Sequence, residues 1–288
     1  MKVLVTGVKG QLGFDVVNEL KKRGHEAIGV DVDEMDITDR EQVAEVITRI
    51  NPDAVIHCAA WTAVDAAEDN LAKVRAVNAD GTAFIAKECQ KLGCKMMYIS
   101  TDYVYGDYES KPWDPDIDYF EPANIYGLTK LEGELAVKDL LQKYFIVRIS
   151  WVFGKNGNNF IRTMLKLGKT HESLRVVNDQ IGTPTYTYDL ARLLVDMIAT
   201  DKYGCYNATN EGGFISWCDF AKEIFRQANM KVTVVPVTTE EYGLSKAYRP
   251  SNSRLDKSKL TKNGFTPLPS WQDALTRFLK EIDFDGAD

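Results

Sequence analysis

Residues 2 to 24 confine this chain to a narrow set of folds. Lys2 to Thr6 is a short apolar, β-branched run with no polar alternation, the pattern of a strand buried on both faces of a parallel sheet. TGVKGQLG follows, with glycines at 7, 10 and 13, and Leu12, Val16 and Leu20 then recur at helical spacing until Gly24. A strand, a glycine turn and a helix N-terminus in that order make an anion site, because unpaired backbone N–H groups and the helix dipole both face a pyrophosphate. Gly7 permits the turn, Gly10 lets the ligand approach the backbone, and Gly13 allows the helix to pack closely on the strand.

The pattern repeats along the first half of the chain. Ala27 to Val30 is a second strand, and Asp31 ends it. A carboxylate there accepts hydrogen bonds from adenosine ribose hydroxyls and repels a 2′-phosphate, which favours NADH slightly over NADPH unless a nearby Lys or Arg offsets it. Thr38 and Glu41 have capping-box spacing before a helix that buries Val43, Ile47 and Ile50, and Asp36 and Ile37 precede it, beside the adenine in a doubly wound fold. Ala54 to Cys58 is a third strand, ending in AAWTAVD at 59 to 65, where small Ala59 and Ala60 let a cofactor approach the backbone. Asn78 gains little on a helix without a partner, so both a buried bond near the site and simple exposure stay open. Lys95 to Ile99 delivers Ser100, Thr101, Asp102 and Tyr103 to the same edge, where the Thr101 hydroxyl suits a substrate carbonyl. The acidic, aromatic, proline-rich stretch 107 to 122 reads as a loop overhanging the cleft.

Tyr126 and Lys130 lie one turn apart on the next helix, so phenol and ammonium project from one face. A fixed cation beside a tyrosine favours the phenolate and draws its pKa down from about 10 toward working pH. A phenol so tuned gives a proton to an oxygen gaining negative charge, as when hydride adds to a ketone. Leu128, Leu131 and Leu135 are the expected packed face, and Gly127 and Gly133 imply close approach of a neighbour. A fifth strand, Phe145 to Ile149, follows.

Beyond SWVFG at 150 to 154 the βα regularity loosens. The expected architecture is α/β, a doubly wound parallel sheet of the NAD(P)-binding Rossmann type with a smaller C-terminal α/β lobe. Residues 1–151 with 185–209 form the dinucleotide-binding domain, and 152–184 with 210–288 form the substrate lobe. Ser216 is the expected cap of one helix in that lobe, and a last helix starts near Ser270. Arg249, before Pro250 in an irregular segment, suits a sugar diphosphate because guanidinium grips phosphate oxygens bidentately.

Composition excludes several classes for the 288 residues. A formal charge of −7 without a Lys/Arg run argues against a nucleic-acid surface. Five scattered cysteines without CxxC spacing read as thiols of a reducing compartment, and three distant histidines suggest no metal site. No apolar run reaches membrane-spanning length, no leader pattern precedes the first strand, and the expected location is cytoplasmic.

TGxxGxxG, a strand-end Thr101 and YxxxK, assembled in that order, resemble the extended short-chain dehydrogenase/reductases. AAWTAVD, STDYVY, NIYGLTKLEGE, SWVFG, DQIGTPT and RPSNSRL together resemble the dTDP-4-dehydrorhamnose reductases over nearly the whole chain. That resemblance implies reduction of the 4-keto group of a nucleotide sugar, dTDP-4-dehydro-L-rhamnose, by NADH or NADPH. It implies Tyr126 as the acid, Lys130 holding the nicotinamide ribose and lowering the tyrosine pKa, and Thr101 at the keto oxygen. Gly10, Gln11 and Leu12 would lie along the pyrophosphate, Asp31 at the adenosine ribose, Asp36 and Ile37 at the adenine, and Ala60, Trp61 and Thr62 near the nicotinamide. Asp102, Tyr103 and Trp151 would face the substrate. Some members of the family use a divalent ion, for which no ligand cluster is apparent here, and a homodimer stays open. An epimerase of the same superfamily, or a non-catalytic regulatory subunit of the same fold, are the rival readings. The dehydratases are disfavoured because no Glu adjoins Asp102.

Overall fold

The computed structural model describes residues 1–282. Five strands, β1 (Lys2–Thr6), β2 (Glu26–Val30), β3 (Ala54–His57), β4 (Lys95–Thr101) and β5 (Tyr144–Ile149), join the strand Gly204–Asn207 in one sheet. The spatial order is β2-β1-β3-β4-β5 and then Gly204–Asn207, every neighbouring pair parallel.

Alternation within each apolar run distributes side chains between two cores. Val3 and Val5 face one layer with Ala54, Ile56, Met97, Ile99, Phe145 and Val147, under α1 (Gln11–Lys22) and the helix Thr187–Ile198. Leu4, Val55, Met96, Tyr98 and Ile146 face the other, under α2 (Arg40–Ile50) and the helix Gly81–Leu92. Each fully buried branched or aromatic side chain contributes about 1.5–3 kcal/mol. Burial on both faces is therefore what commits these runs to the interior of a sheet rather than to helices.

The chain passes from β1 outward to β2, then back across to β3 on the other side. That reversal opens a crevice at the carboxyl ends of β1 and β3, where open α/β sheets bind ligands. The walls meet closely: a Cβ on Gly7, at φ 71°, would lie 2.7 Å from the Ala59 nitrogen. One on Gly13 would lie 2.3 Å from the Gly7 carbonyl oxygen, so α1 reaches the turn only because that residue has no side chain.

Three local expectations differ from the structure. The cap of α2 is Asp39, whose carboxylate accepts from the Glu41 and Gln42 N–H groups, while Thr38 donates to Asp36. The helix Ile125–Leu140 buries Gly127, Thr129, Lys130, Gly133, Glu134 and Val137, leaving Leu135 exposed. A buried Arg148 on β5 makes the Glu134 side the one that must face inward, and it outweighs the leucine stripe. Finally, 107–122 packs away from the crevice: Trp113 is buried against Leu255, and its N–H donates to the Arg254 carbonyl.

A third core gathers Phe153, Ile161, Tyr186, Phe220, Ile224, Trp271 and Phe278. It lies among the helices Phe160–Gly168, Trp217–Gln227 and Trp271–Glu281, with the parallel pair Ser173–Val177 and Thr233–Val237 beside them. Ser216 and Ser270 cap two of these helices, Ser216 in a reciprocal box with Asp219.

Candidate active site

A cavity of about 720 Å3 runs along the carboxyl ends of β1, β3, β4 and β5. That volume is in the range of small-molecule sites. Its walls include Gly7, Gly10, Gln11, Leu12 and Gly13 of the first turn, Asp31 after β2, and Ala59, Ala60 and Thr62 after β3. Thr101, Asp102, Tyr103, Tyr126, Lys130 and Trp151 line the remainder.

At the glycine turn, α1 starts at Gly10 with no side-chain cap, unlike α2, so the backbone donors of its first turn are left to a ligand. Asp31 is fixed by two local bonds, Oδ2 accepting from the Lys9 N–H at 2.8 Å and Oδ1 from the Val32 N–H at 2.9 Å. Lys9 turns its ammonium to Asp33. From the second lobe, Asn156 Nδ2 donates to the Lys9 carbonyl at 2.7 Å, which ties that lobe to the turn.

Behind the crevice runs a directed polar chain. The Ala59 N–H donates to Thr6 Oγ1, which bonds His57 Nδ1 at 2.7 Å. His57 Nε2 bonds Thr82 Oγ1 at 3.1 Å, and Thr82 donates to the Asn78 carbonyl. Donor order along the chain requires a neutral imidazole with its proton on Nε2, and burial holds His57 neutral by drawing its pKa down to about 3. Asn78 sits 1% exposed in a π-helical turn, Ala76–Asp80. Its Oδ1 accepts from the Trp61 N–H at 2.8 Å, and its Nδ2 donates to the Trp61 carbonyl and to Thr129 Oγ1. Asn78 thus makes the buried bonds, joining the 59–62 turn to the helix that carries Tyr126.

Asn124 caps that helix, accepting from the Gly127 N–H at 2.8 Å. Gly127 packs so closely that a Cβ would lie 2.3 Å from the Tyr103 carbonyl oxygen. Tyr126 stands edge-on to Tyr103 at 5.9 Å, and Thr101 is close enough to influence its hydroxyl. Thr101 donates to Asp102 Oδ1 at 3.0 Å. Lys130, 2% exposed, donates to the Ile99 carbonyl at 2.7 Å and lies 4.0 Å above the Tyr98 ring.

The electrostatics differ from the expected tuning. Burial raises the Tyr126 pKa above its ordinary value, and Lys130 is not among the groups that shift it. Burial also lowers Lys130 to about 7, with the Glu134 carboxylate opposing. Desolvation of each group outweighs the influence of its neighbours here. Asp102 is raised to about 6, again chiefly by burial, and its Oδ2 has no hydrogen-bond partner.

Five sequence-selected residues stand outside the cavity wall. Asp36 binds Thr38, and Ile37 packs on Gly81. Trp61 donates its indole N–H to the Ala63 carbonyl, Asn78 sits behind it, and Arg249 donates to Asp65 Oδ2 at 2.8 Å while its charge acts on Tyr103. Among the described residues no group of three or more His, Cys, Asp or Glu could hold a metal ion, and no helix is long and apolar enough to cross a membrane.

With that geometry in hand, comparison with known proteins becomes specific. The family described as RmlD substrate binding domain matches residues 1–284. The chain belongs to that family. It is 39% identical over 280 residues to the spore coat polysaccharide biosynthesis protein SpsK of Bacillus subtilis, covering 97% of each chain. It is 38% identical over 288 residues to the dTDP-4-dehydrorhamnose reductase of Aggregatibacter actinomycetemcomitans, covering 95% of this chain and 97% of that one. A crystal structure of dTDP-4-dehydrorhamnose reductase from Bacillus anthracis in complex with NADP superposes with a TM-score of 0.93 at 45% identity, covering 98% and 100% of the two chains.

In this RmlD family member the cavity also holds residues that pattern reading passed over: Lys9, Val64, Asn156 and Trp217. Lys9 and Asn156 lie in glycine-bearing loops that carry no periodic signal, and Trp217 reads as the apolar start of an amphipathic helix. Nothing in the spacing distinguishes them.

Proposed function

We propose that this chain is a nicotinamide-coenzyme-dependent reductase that converts the 4-keto group of dTDP-4-dehydro-L-rhamnose into the hydroxyl of dTDP-L-rhamnose. The observation that carries the reading is the convergence of Thr101, Tyr126 and Lys130 on one cavity with the glycine turn. Membership of the RmlD family supports it.

The turn fits a dinucleotide, since the spaces beside Gly7 and Gly13 are too tight for any side chain and α1 opens uncapped toward the cavity. When bound, the coenzyme supplies the hydride that adds to the ketone carbon. Gly10, Gln11, Leu12 and Gly13 hold the pyrophosphate, and Asp31 accepts from the adenosine ribose. Asp36 and Ile37 flank the adenine. Ala59, Ala60, Trp61 and Thr62 back the nicotinamide half, with Asn78 fixing the Trp61 backbone. Lys130 binds the nicotinamide ribose hydroxyls.

Thr101 exchanges Asp102 for the ketone oxygen as its hydrogen-bond acceptor. Tyr126 gives its proton to that oxygen as negative charge develops. A raised pKa suits this direction, because the phenol is fully protonated at working pH and its proton passes to an alkoxide that is more basic still. Asp102, Tyr103 and Trp151 contact the sugar, and Arg249 binds the diphosphate with guanidinium N–H groups not committed to Asp65. Asp31 favours NADH slightly, while the Lys9 ammonium, turned from Asp33, offsets a 2′-phosphate, so both coenzymes serve.

Purified protein mixed with dTDP-4-dehydro-L-rhamnose should oxidise NADH or NADPH and yield dTDP-L-rhamnose. Consumption of neither coenzyme would sink the reading. Interconversion of sugar epimers without added reductant would instead favour the epimerase.

A further inference from the structure

Trp151 is one of three non-glycine residues with a positive φ, at 50°, and the only aromatic among them in the described residues. A bulky residue in the left-handed region is an outlier that persists only where its surroundings over-determine it. Here the backbone is pinned by the DQIGTPT segment. Thr185 donates its N–H to the Trp151 carbonyl at 3.1 Å and its hydroxyl to the Ser150 carbonyl at 2.6 Å, while Ser150 donates to the Thr183 carbonyl. Gly182 makes room for the ring, since a Cβ there would lie 2.8 Å from the indole.

The side chain is held separately. The Trp151 indole stacks on Trp217 with ring centres 3.7 Å apart and planes 13° from parallel. Trp217, the first residue of its helix, is backed by Phe160 at 4.6 Å and packed against the third core. Both indoles line the cavity, Trp151 just beyond the carboxyl end of β5.

We infer that Trp217 is a positioning residue for the sugar nucleotide: by stacking on Trp151 it fixes that strained indole as a rigid wall of the substrate half of the cavity, without acting on the coenzyme half. The inference rests on the reading of the cavity as a nucleotide-sugar site. Stacked aromatic pairs resist rotation of either ring, so loss of Trp217 leaves Trp151 free to adopt other rotamers and forfeits the preformed surface.

The experiment compares wild type with Trp217→Leu and Trp217→Phe. Stacked indoles couple their transitions, giving a far-ultraviolet circular dichroism couplet that both variants should lose. In Trp217→Leu the KM for dTDP-4-dehydro-L-rhamnose should rise about tenfold with kcat changed much less. The dissociation constant for NADPH should not move. Trp217→Phe, which still offers a ring, should recover most of the KM. A KM within about twofold of wild type in Trp217→Leu, with the couplet gone, would overturn the positioning role. Parallel loss of coenzyme and substrate affinity would also overturn it, in favour of a packing defect. A wild-type protein that binds no dTDP-sugar at all would defeat the parent reading and this inference together, whereas binding that is equal in wild type and both variants defeats the inference alone.

Discussion

Tyr126 and Asp102 are neighbours under opposite demands: in the proposed reaction the first holds its proton until an alkoxide forms, while burial burdens the second with a charge it cannot solvate. Removing only the transferable proton, Tyr126→Phe should keep the fold and coenzyme binding but lower turnover by ~10²-fold or more. Turnover within about threefold of wild type would remove Tyr126 as the acid. Asp102 has its pKa raised from 3.8 to about 6 by burial. The folded state therefore holds the proton more tightly than the unfolded one. Its contribution to stability is fully present below pH 3.8 and is lost as pH rises through about 6, by at most about 3 kcal/mol. Asp102→Asn should escape that loss. Urea midpoints of the variant should gain on wild type from about pH 4 to about pH 7, and parallel curves would contradict the burial argument. Asp15, also raised to about 6, titrates in both proteins and cancels in the comparison. At this scale the sequence was informative where chemistry follows spacing. Tyr126, Lys130 and the three glycines stand in patterns with a mechanism. The pKa values were not legible, because burial and the absence of a partner at Asp102 Oδ2 are properties of packing.

Among the elements, the helix Ile125–Leu140 is oriented by charge as much as by apolar contact. Arg148 and Glu134 are both fully buried and joined by two bonds, 2.8 Å from Nε and 2.6 Å from Nη2. Arg148 Nη1 donates also to the Tyr105 hydroxyl and the Pro115 carbonyl. Glu134 lies one turn beyond Lys130, so the pair locks the face that carries that lysine. Replacing one partner leaves the other charged in the core, and Arg148→Met should cost ~3–5 kcal/mol. Chemical denaturation would measure it, and a loss under about 1 kcal/mol would mean that the pair is not the lock. This is also where helical reading erred. Leu128, Leu131 and Leu135 form a plausible apolar stripe, but a sequence does not reveal that an arginine on a distant strand will require the glutamate inward. The strands β1, β3, β4 and β5 were legible because double-faced burial leaves its mark along the run, whereas two-residue strands such as Val152–Phe153 leave none.

In the whole molecule, two carboxylates of the sheet half clasp the segment that enters from the second lobe. Asp65 accepts from the Lys246 and Ala247 N–H groups and from Arg249. Asp107 accepts from the Tyr248 hydroxyl, from Ser251, and from the Asn252 N–H. The motif RPSNSRL is visible in sequence, but its partners lie more than a hundred residues away and cannot be read from it. Arg249→Ala should raise the KM for the sugar nucleotide by an amount equal to ~1.5–3 kcal/mol while leaving coenzyme affinity alone. Titration of both ligands decides it, and an unaltered sugar-nucleotide affinity would take Arg249 out of the site. The central claim is that hydride passes from a dissociable coenzyme to the C4 carbon of the sugar. The direct measurement is turnover of dTDP-4-dehydro-L-rhamnose with coenzyme deuterated at the nicotinamide C4. Each faces of that carbon should be labelled in turn, and one of the two labelled coenzymes should place deuterium at C4 of dTDP-L-rhamnose, whereas product free of deuterium with both would contradict the account.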